Sequence, residues 1–165
     1  MKFLLFFWYI FYSLKPGASM PSMQEVRSLY LNAAADETAC NKLIGLLSQN
    51  GIESNSLLLG YKGCVTMMKA KYGFNPFSKF SYFKKGKSLL EKAIDHDAQN
   101  IELRYLRFTV QINAPGFLGY RKNIPEDKTF LLNSIKNISD EYLKQAVIHV
   151  LKNSDYVTRE EKLKL

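Results

Sequence analysis

From Val26 onward, apolar side chains return every three or four residues rather than every second one, and Gly, Pro, Asn and Asp fall between the runs. That spacing constrains the fold most. A face repeating at 3.6 residues per turn is buried by a helix, whereas the same residues on a strand would scatter over both sides. No stretch reads as a strand bounded by hairpin turns. The predicted fold is all-α, with six or seven helices in one domain over residues 23–157 of a 165-residue chain. That length is enough to bury a core without metals or disulfides.

The helices follow from the stripes. Val26, Leu29, Tyr30 and Ala33 form the first. Ala39, Leu43, Leu46 and Leu47 continue or restart it, as one long helix or as two that break near Asp36. Asn50-Gly51 has the chemistry of a helix stop. A helix over 55–72 places Leu57, Tyr61, Cys64, Val65, Met68 and Tyr72 on its apolar side. Gly60 and Gly63 open a face for close approach, and Gly73 ends it. Ser78 is the expected N-cap of the next helix, which carries Tyr82, Gly86, Leu89, Leu90, Ala93 and Ile94 on one side. Over 101–113, Leu103, Leu106 and Val110 fall on one flank and Tyr105, Phe108 and Ile112 on another, which predicts a central helix. The breaker-rich loop 114–125 is expected to be pinned by Phe117, Leu118 and Tyr120. Phe130, Leu131, Ile135 and Ile138 mark a further helix. Ser139 is the expected cap of a last one bearing Leu143, Ala146, Val147, Val150 and Leu151. The charged tail 158–165 is expected to fray.

The N-terminus reads differently. Lys2 precedes an uncharged apolar run from Phe3 to Tyr12, followed by Lys15-Pro16-Gly17-Ala18-Ser19. This is the layout of a secretory signal, residues 1–19, with cleavage expected after Ser19. A bilayer span needs about 20 apolar residues, and this run is too short for one. The expected address is the periplasm or the cell exterior, with an uncleaved membrane anchor as the alternative. Cleavage leaves 21 basic against 15 acidic residues, a net charge of +6, and removes Trp8, the only tryptophan. Cys40 and Cys64 remain. In an oxidising compartment they can form a disulfide, or each can pack as a small buried hydrophobe.

Gly86, Leu90, Ala93 and Ala98 sit at the spacing of the second helix and closing turn of a tetratricopeptide repeat, and Asp97-Ala98-Gln99-Asn100 resembles that family's turn. In the preceding helix, Tyr61, Cys64, Val65 and Met68 fall where the family places large, large, small and large residues. Several features depart from the pattern: Val65 exceeds the usual glycine or alanine, 73–81 is longer than the family's tight turn, and Arg104 and Arg107 stand where bulky apolar residues are usual. The resemblance covers about a third of the chain. It implies antiparallel helical hairpins stacked as a short right-handed superhelix whose inner groove binds a peptide or partner protein.

Three groups of residues are candidates for function. Arg104, Arg107 and Gln111 recur at helical spacing in a helix that otherwise looks buried. They either pair with carboxylates such as Glu91, Asp95 or Glu102, or face a ligand groove together with Tyr61 and Tyr120. A band from Lys62 to Lys92 holds eight lysines and one acid, Glu91. Its members Lys69, Lys71, Lys79, Lys84, Lys85 and Lys87 are interleaved with Tyr72, Phe74, Phe77, Phe80, Tyr82 and Phe83. Such a band attracts polyanions, an acidic protein or a membrane surface, or is simply a solvated face with core aromatics behind it. The exported address argues against nucleic acid. His96 and His149 have no partner at metal-ligand spacing. Gly116 to Arg121 lacks the lysine and hydroxyl of a phosphate loop. No metal or cofactor is expected. The function expected is non-catalytic binding of a protein or peptide in the cell envelope. The alternatives are a small enzyme with a polar pocket at Arg104, Arg107, Tyr120 and Glu126, and a structural component without a discrete ligand.

Overall fold

A computed structural model describes residues 20–165. The signal-like segment and Trp8 lie outside the described residues. Among those residues the regular structure is entirely helical. Eight α-helices follow in order: α1 Met23–Ala33, α2 Glu37–Leu46, α3 Ser56–Lys69, α4 Pro76–His96, α5 Ile101–Asn113, α6 Ile124–Ser134, α7 Glu141–Asn153 and α8 Arg159–Lys162. Short 3₁₀ turns cover Ile52–Ser54, Ala70–Tyr72, Gly116–Leu118 and Ile135–Asn137.

Side-chain caps set most helix starts. Asp36 accepts from the Thr38 N–H and begins α2, so the first stripe belongs to two helices rather than one. Asn55 caps α3 through the Leu58 N–H. Two expected caps move by a few residues. Asn75, not Ser78, caps α4, because Pro76 then takes the first helical position, where its missing N–H costs nothing. Asp140, not Ser139, caps α7 by accepting from the Leu143 N–H, with an extended backbone suited to that role. The tail is ordered in part: Thr158 and Glu161 form a reciprocal capping box that starts α8, and Lys128 Nζ ties Glu161 to α6 at 2.8 Å. After Asn50, Gly51 turns the chain in the left-handed region at φ 87°, a conformation a side chain would strain.

Successive helices pack as neighbours: α1 on α2, α2 on α3, α3 on α4, α5 on α6. The odd-numbered helices also touch in a row, α1 to α3, α3 to α5 and α5 to α7. The closest pair is α3 with α4. A Cβ at Gly63 would stand 2.7 Å from the Gly86 carbonyl oxygen, and one at Gly86 would stand 2.4 Å from that of Gly63. The two backbones therefore meet where both side chains are absent. Leu103, Leu106 and Val110 of α5 join the core of α1–α4, while Phe108 and Ile112 join that of α6 and α7; Tyr105 touches both. Helix α5 is the shared wall that its two apolar flanks predicted.

Cys40 and Cys64 are free thiols rather than a disulfide. Cys40 Sγ points at the Val65 carbonyl, 3.9 Å away. Burial raises the Cys40 thiol above its ordinary value and pushes Cys64 up to about 12, so both are neutral packing groups.

Candidate functional site

The five residues expected to line a groove, Tyr61, Arg104, Arg107, Gln111 and Tyr120, are all buried. They lie in two polar clusters inside the stack. The first joins α4, α5 and α6. Arg107 places Nε and Nη2 on the two oxygens of Asp127 at 2.7 and 2.8 Å and reaches Glu91 at 2.9 Å through Nη1. Arg104 contacts Glu126 at 2.6 Å and Asp127 at 3.0 Å. The Tyr120 hydroxyl donates to the other oxygen of Glu91. Asp127 has no exposure, so both of its oxygens depend on these guanidiniums. Burial lifts the Asp127 carboxyl above the ordinary aspartate value, and Arg107 and Arg104 oppose that lift. On the exposed side of the cluster, the Arg104 hydrogen bond holds Glu126 below the usual glutamate range. Gln111 keeps one long bond to Asn123 at 3.4 Å, and its carbonyl oxygen has no partner.

The second cluster joins α1, α3, α5 and α7. Arg27 of α1 forks onto both oxygens of Glu102 at 2.7 Å each and onto Asp140, the cap of α7, at 2.7 Å. Tyr61 donates to the same Glu102 at 2.5 Å, and burial together with that carboxylate drives the phenol well above its ordinary value. Arg27 also lies 5.3 Å from the centre of the Tyr142 ring. Through this one side chain α1 reaches both α5 and the start of α7. Arg27 and Asp127 escaped notice in the sequence: one is a single cation beside a clean stripe, the other one of two acids in a helix first turn.

Two surfaces stay open. Between α1, α5 and α7 lies a recess of about 460 Å³ lined by Leu31, Tyr105, Tyr142 and Ala146, with Glu141, Gln145 and His149 at its polar edge. Leu31 and Tyr142 are both exposed. The basic band is the other, and its members divide. Lys69 binds Glu37 at 2.9 Å and Asn41 at 2.7 Å, Lys71 donates to the Ala34 carbonyl, and Lys87 lies over the Tyr120 ring. Lys79, Lys84 and Lys85 point outward with no acidic partner among the described residues. The interleaved aromatics do not all stand behind them. Phe83 is buried and Tyr72 half-buried, but Phe77 is 87% exposed, Phe80 59%, and Phe74 is fully exposed. Phe117 is also exposed, so of the three residues expected to pin the 114–125 loop only Tyr120 and half-buried Leu118 do so.

Among the described residues no group of three or more His, Cys, Asp or Glu is placed to hold a metal, and no helix is long and apolar enough to cross a membrane. Comparison of the chain with protein-family models, with curated proteins and with solved structures returned no match.

Proposed function

We propose that this chain is a non-catalytic binding protein of stacked, tetratricopeptide-like helical hairpins, exported to the cell envelope, where it takes an apolar segment of a protein or peptide into the recess between α1, α5 and α7. The row of odd-numbered helices supports the hairpin-stack reading, since hairpins added one after another make such neighbours. Export rests on the signal-like pattern of residues 1–19. The observation that carries the binding reading is the recess itself. Its volume of about 460 Å³ falls within the range of about 300–1,000 Å³ usual for ligand sites, and large apolar side chains stand in water around it. The polar edge of Glu141, Gln145 and His149 can fix the orientation of a bound backbone. The enzyme alternative drew on Arg104, Arg107, Tyr120 and Glu126, and these groups are bonded to one another or to Glu91 and Asp127.

Selection of peptides from a displayed library against the whole chain tests the proposal. Binders are expected to carry large apolar side chains and to lose about tenfold or more in affinity on Leu31→Glu or Ala146→Arg, with circular dichroism unchanged. Peptides that bind equally well to both variants would place the working surface elsewhere.

A further inference from the structure

Helix α4 is amphipathic in an unusual sense: both of its faces are apolar at the N-terminal end, and only one is covered. Phe83, Gly86 and Leu90 pack inward. At 100° per residue, Phe77 stands about 180° from Gly86, and Phe80, Ser81, Lys84 and Ser88 fall beside Phe77. Phe74, just ahead of the helix, is fully exposed. One turn farther along the same face, a shallow depression of about 360 Å³ is lined by Ser81, Lys84, Lys85, Ser88 and Leu89. From Lys62 to Leu90 the chain contains no Asp or Glu. The surface is therefore a row of phenylalanine rings on the outer side of a single helix, followed by unpaired ammonium groups and two hydroxyls.

We propose that this face of α4 docks on a bilayer containing anionic phospholipid. Phe74, Phe77 and Phe80 enter the boundary between headgroups and acyl chains, while Lys84 and Lys85 meet the phosphates. The charge complementarity selects this occupant. A protein groove for three protruding rings would have to be preformed, whereas a fluid interface accepts them without shape matching. Cations on the same face as the rings suit an acidic headgroup layer rather than a neutral apolar partner. The site is separate from the recess at α1, α5 and α7, so either proposal can fail alone.

The test is sedimentation of the full chain with vesicles of phosphatidylcholine, with and without phosphatidylglycerol. Binding is expected with the anionic vesicles and weak with the neutral ones. F77S/F80S and K84E/K85E should each reduce the anionic partition by about tenfold or more, whereas L31S leaves it unchanged. All four side chains are exposed or at the surface, so unchanged circular dichroism and melting are expected and make the comparison fair. Three results overturn the proposal. If F77S/F80S binds like the parent chain, the attraction comes from charge alone or from the apolar residues near the N-terminus. Equal binding to neutral vesicles removes the role of the lysines. If the parent chain is a dimer in solution and F77S/F80S is a monomer, the rings belong to an interface between two copies.

Discussion

Asp127 is the most demanding side chain in this protein. It is a carboxylate without exposure, and its neighbours Arg104 and Arg107 are nearly as buried. Taking such charges out of water costs several kcal/mol each, and only close geometry with every oxygen occupied offsets it. Arg107 supplies a two-point contact, Arg104 covers one oxygen from the other side, and Glu91 and Glu126 each take a further guanidinium N–H of Arg107 and Arg104. Asp127→Ala leaves two buried guanidiniums short of a partner. A loss of about 3–5 kcal/mol in urea unfolding is expected, more than for Glu126→Ala, whose carboxylate is exposed. A double variant, R107M/D127L, removes both halves of the closest pair and should recover part of that loss. Equal stability of Asp127→Ala and the parent chain would mean that the cluster is hydrated and contributes little.

Between helices, the closest packing is the meeting of α3 and α4 at Gly63 and Gly86. Alanine ordinarily favours a helix interior over glycine by about 1 kcal/mol. Here a Cβ on Gly86 meets the Gly63 carbonyl at 2.4 Å and the Met67 N–H at 2.7 Å, both backbone atoms of a packed helix. The helices must separate, and overpacking of this kind costs about 1–3 kcal/mol. Gly86→Ala is expected to lower stability by about 2 kcal/mol, and Gly45→Ala, with open space around it, to raise it slightly; thermal melts of both decide. Such contacts show what local sequence carries. Gly60 and Gly63 marked a close-approach face, and the two flanks of α5 marked a shared wall, because each follows from spacing within one helix. The caps at Asn75 and Asp140 were missed because Ser78 and Ser139 are also good cap residues, and the choice depended on where Pro76 and the chain entry fitted. The rings of Phe74, Phe77 and Phe80 looked like core, since helical spacing gives a face but not the neighbour it meets. Of the partners of Arg104 and Arg107, Glu91 was among the carboxylates suggested by the sequence, but Asp127 lay hidden for a related reason: it is twenty residues from Arg107 and joins it only through the turn into α6. The odd arginines and Glu91 were legible, but the buried aspartate that both arginines share was not.

The molecule has two apolar cores that share α5, and what spans the row of helices beyond packing is largely one polar side chain. Arg27 leaves α1, binds both oxygens of Glu102 on α5, and reaches Asp140 at the start of α7. A row of helices in which each contacts mainly its neighbours tends to open from its ends. A direct link from α1 to the start of α7 opposes that, because α1 cannot leave without stripping Glu102, which is 5% exposed, of its counter-charge. Arg27→Met keeps the length of the stem and removes the charge. The expected result is a global loss of about 2–4 kcal/mol together with a selective effect on native-state hydrogen exchange: amides of α1 and α2 open well before those of α3 and α4. Adding E102Q to R27M removes the stranded carboxylate while keeping an acceptor for Tyr61, and should restore some stability without restoring protection of α1. If exchange in α1 and α4 instead rises together in R27M, the four N-terminal helices unfold as one body, and the arginine only adds to a cooperativity that their common apolar core already provides.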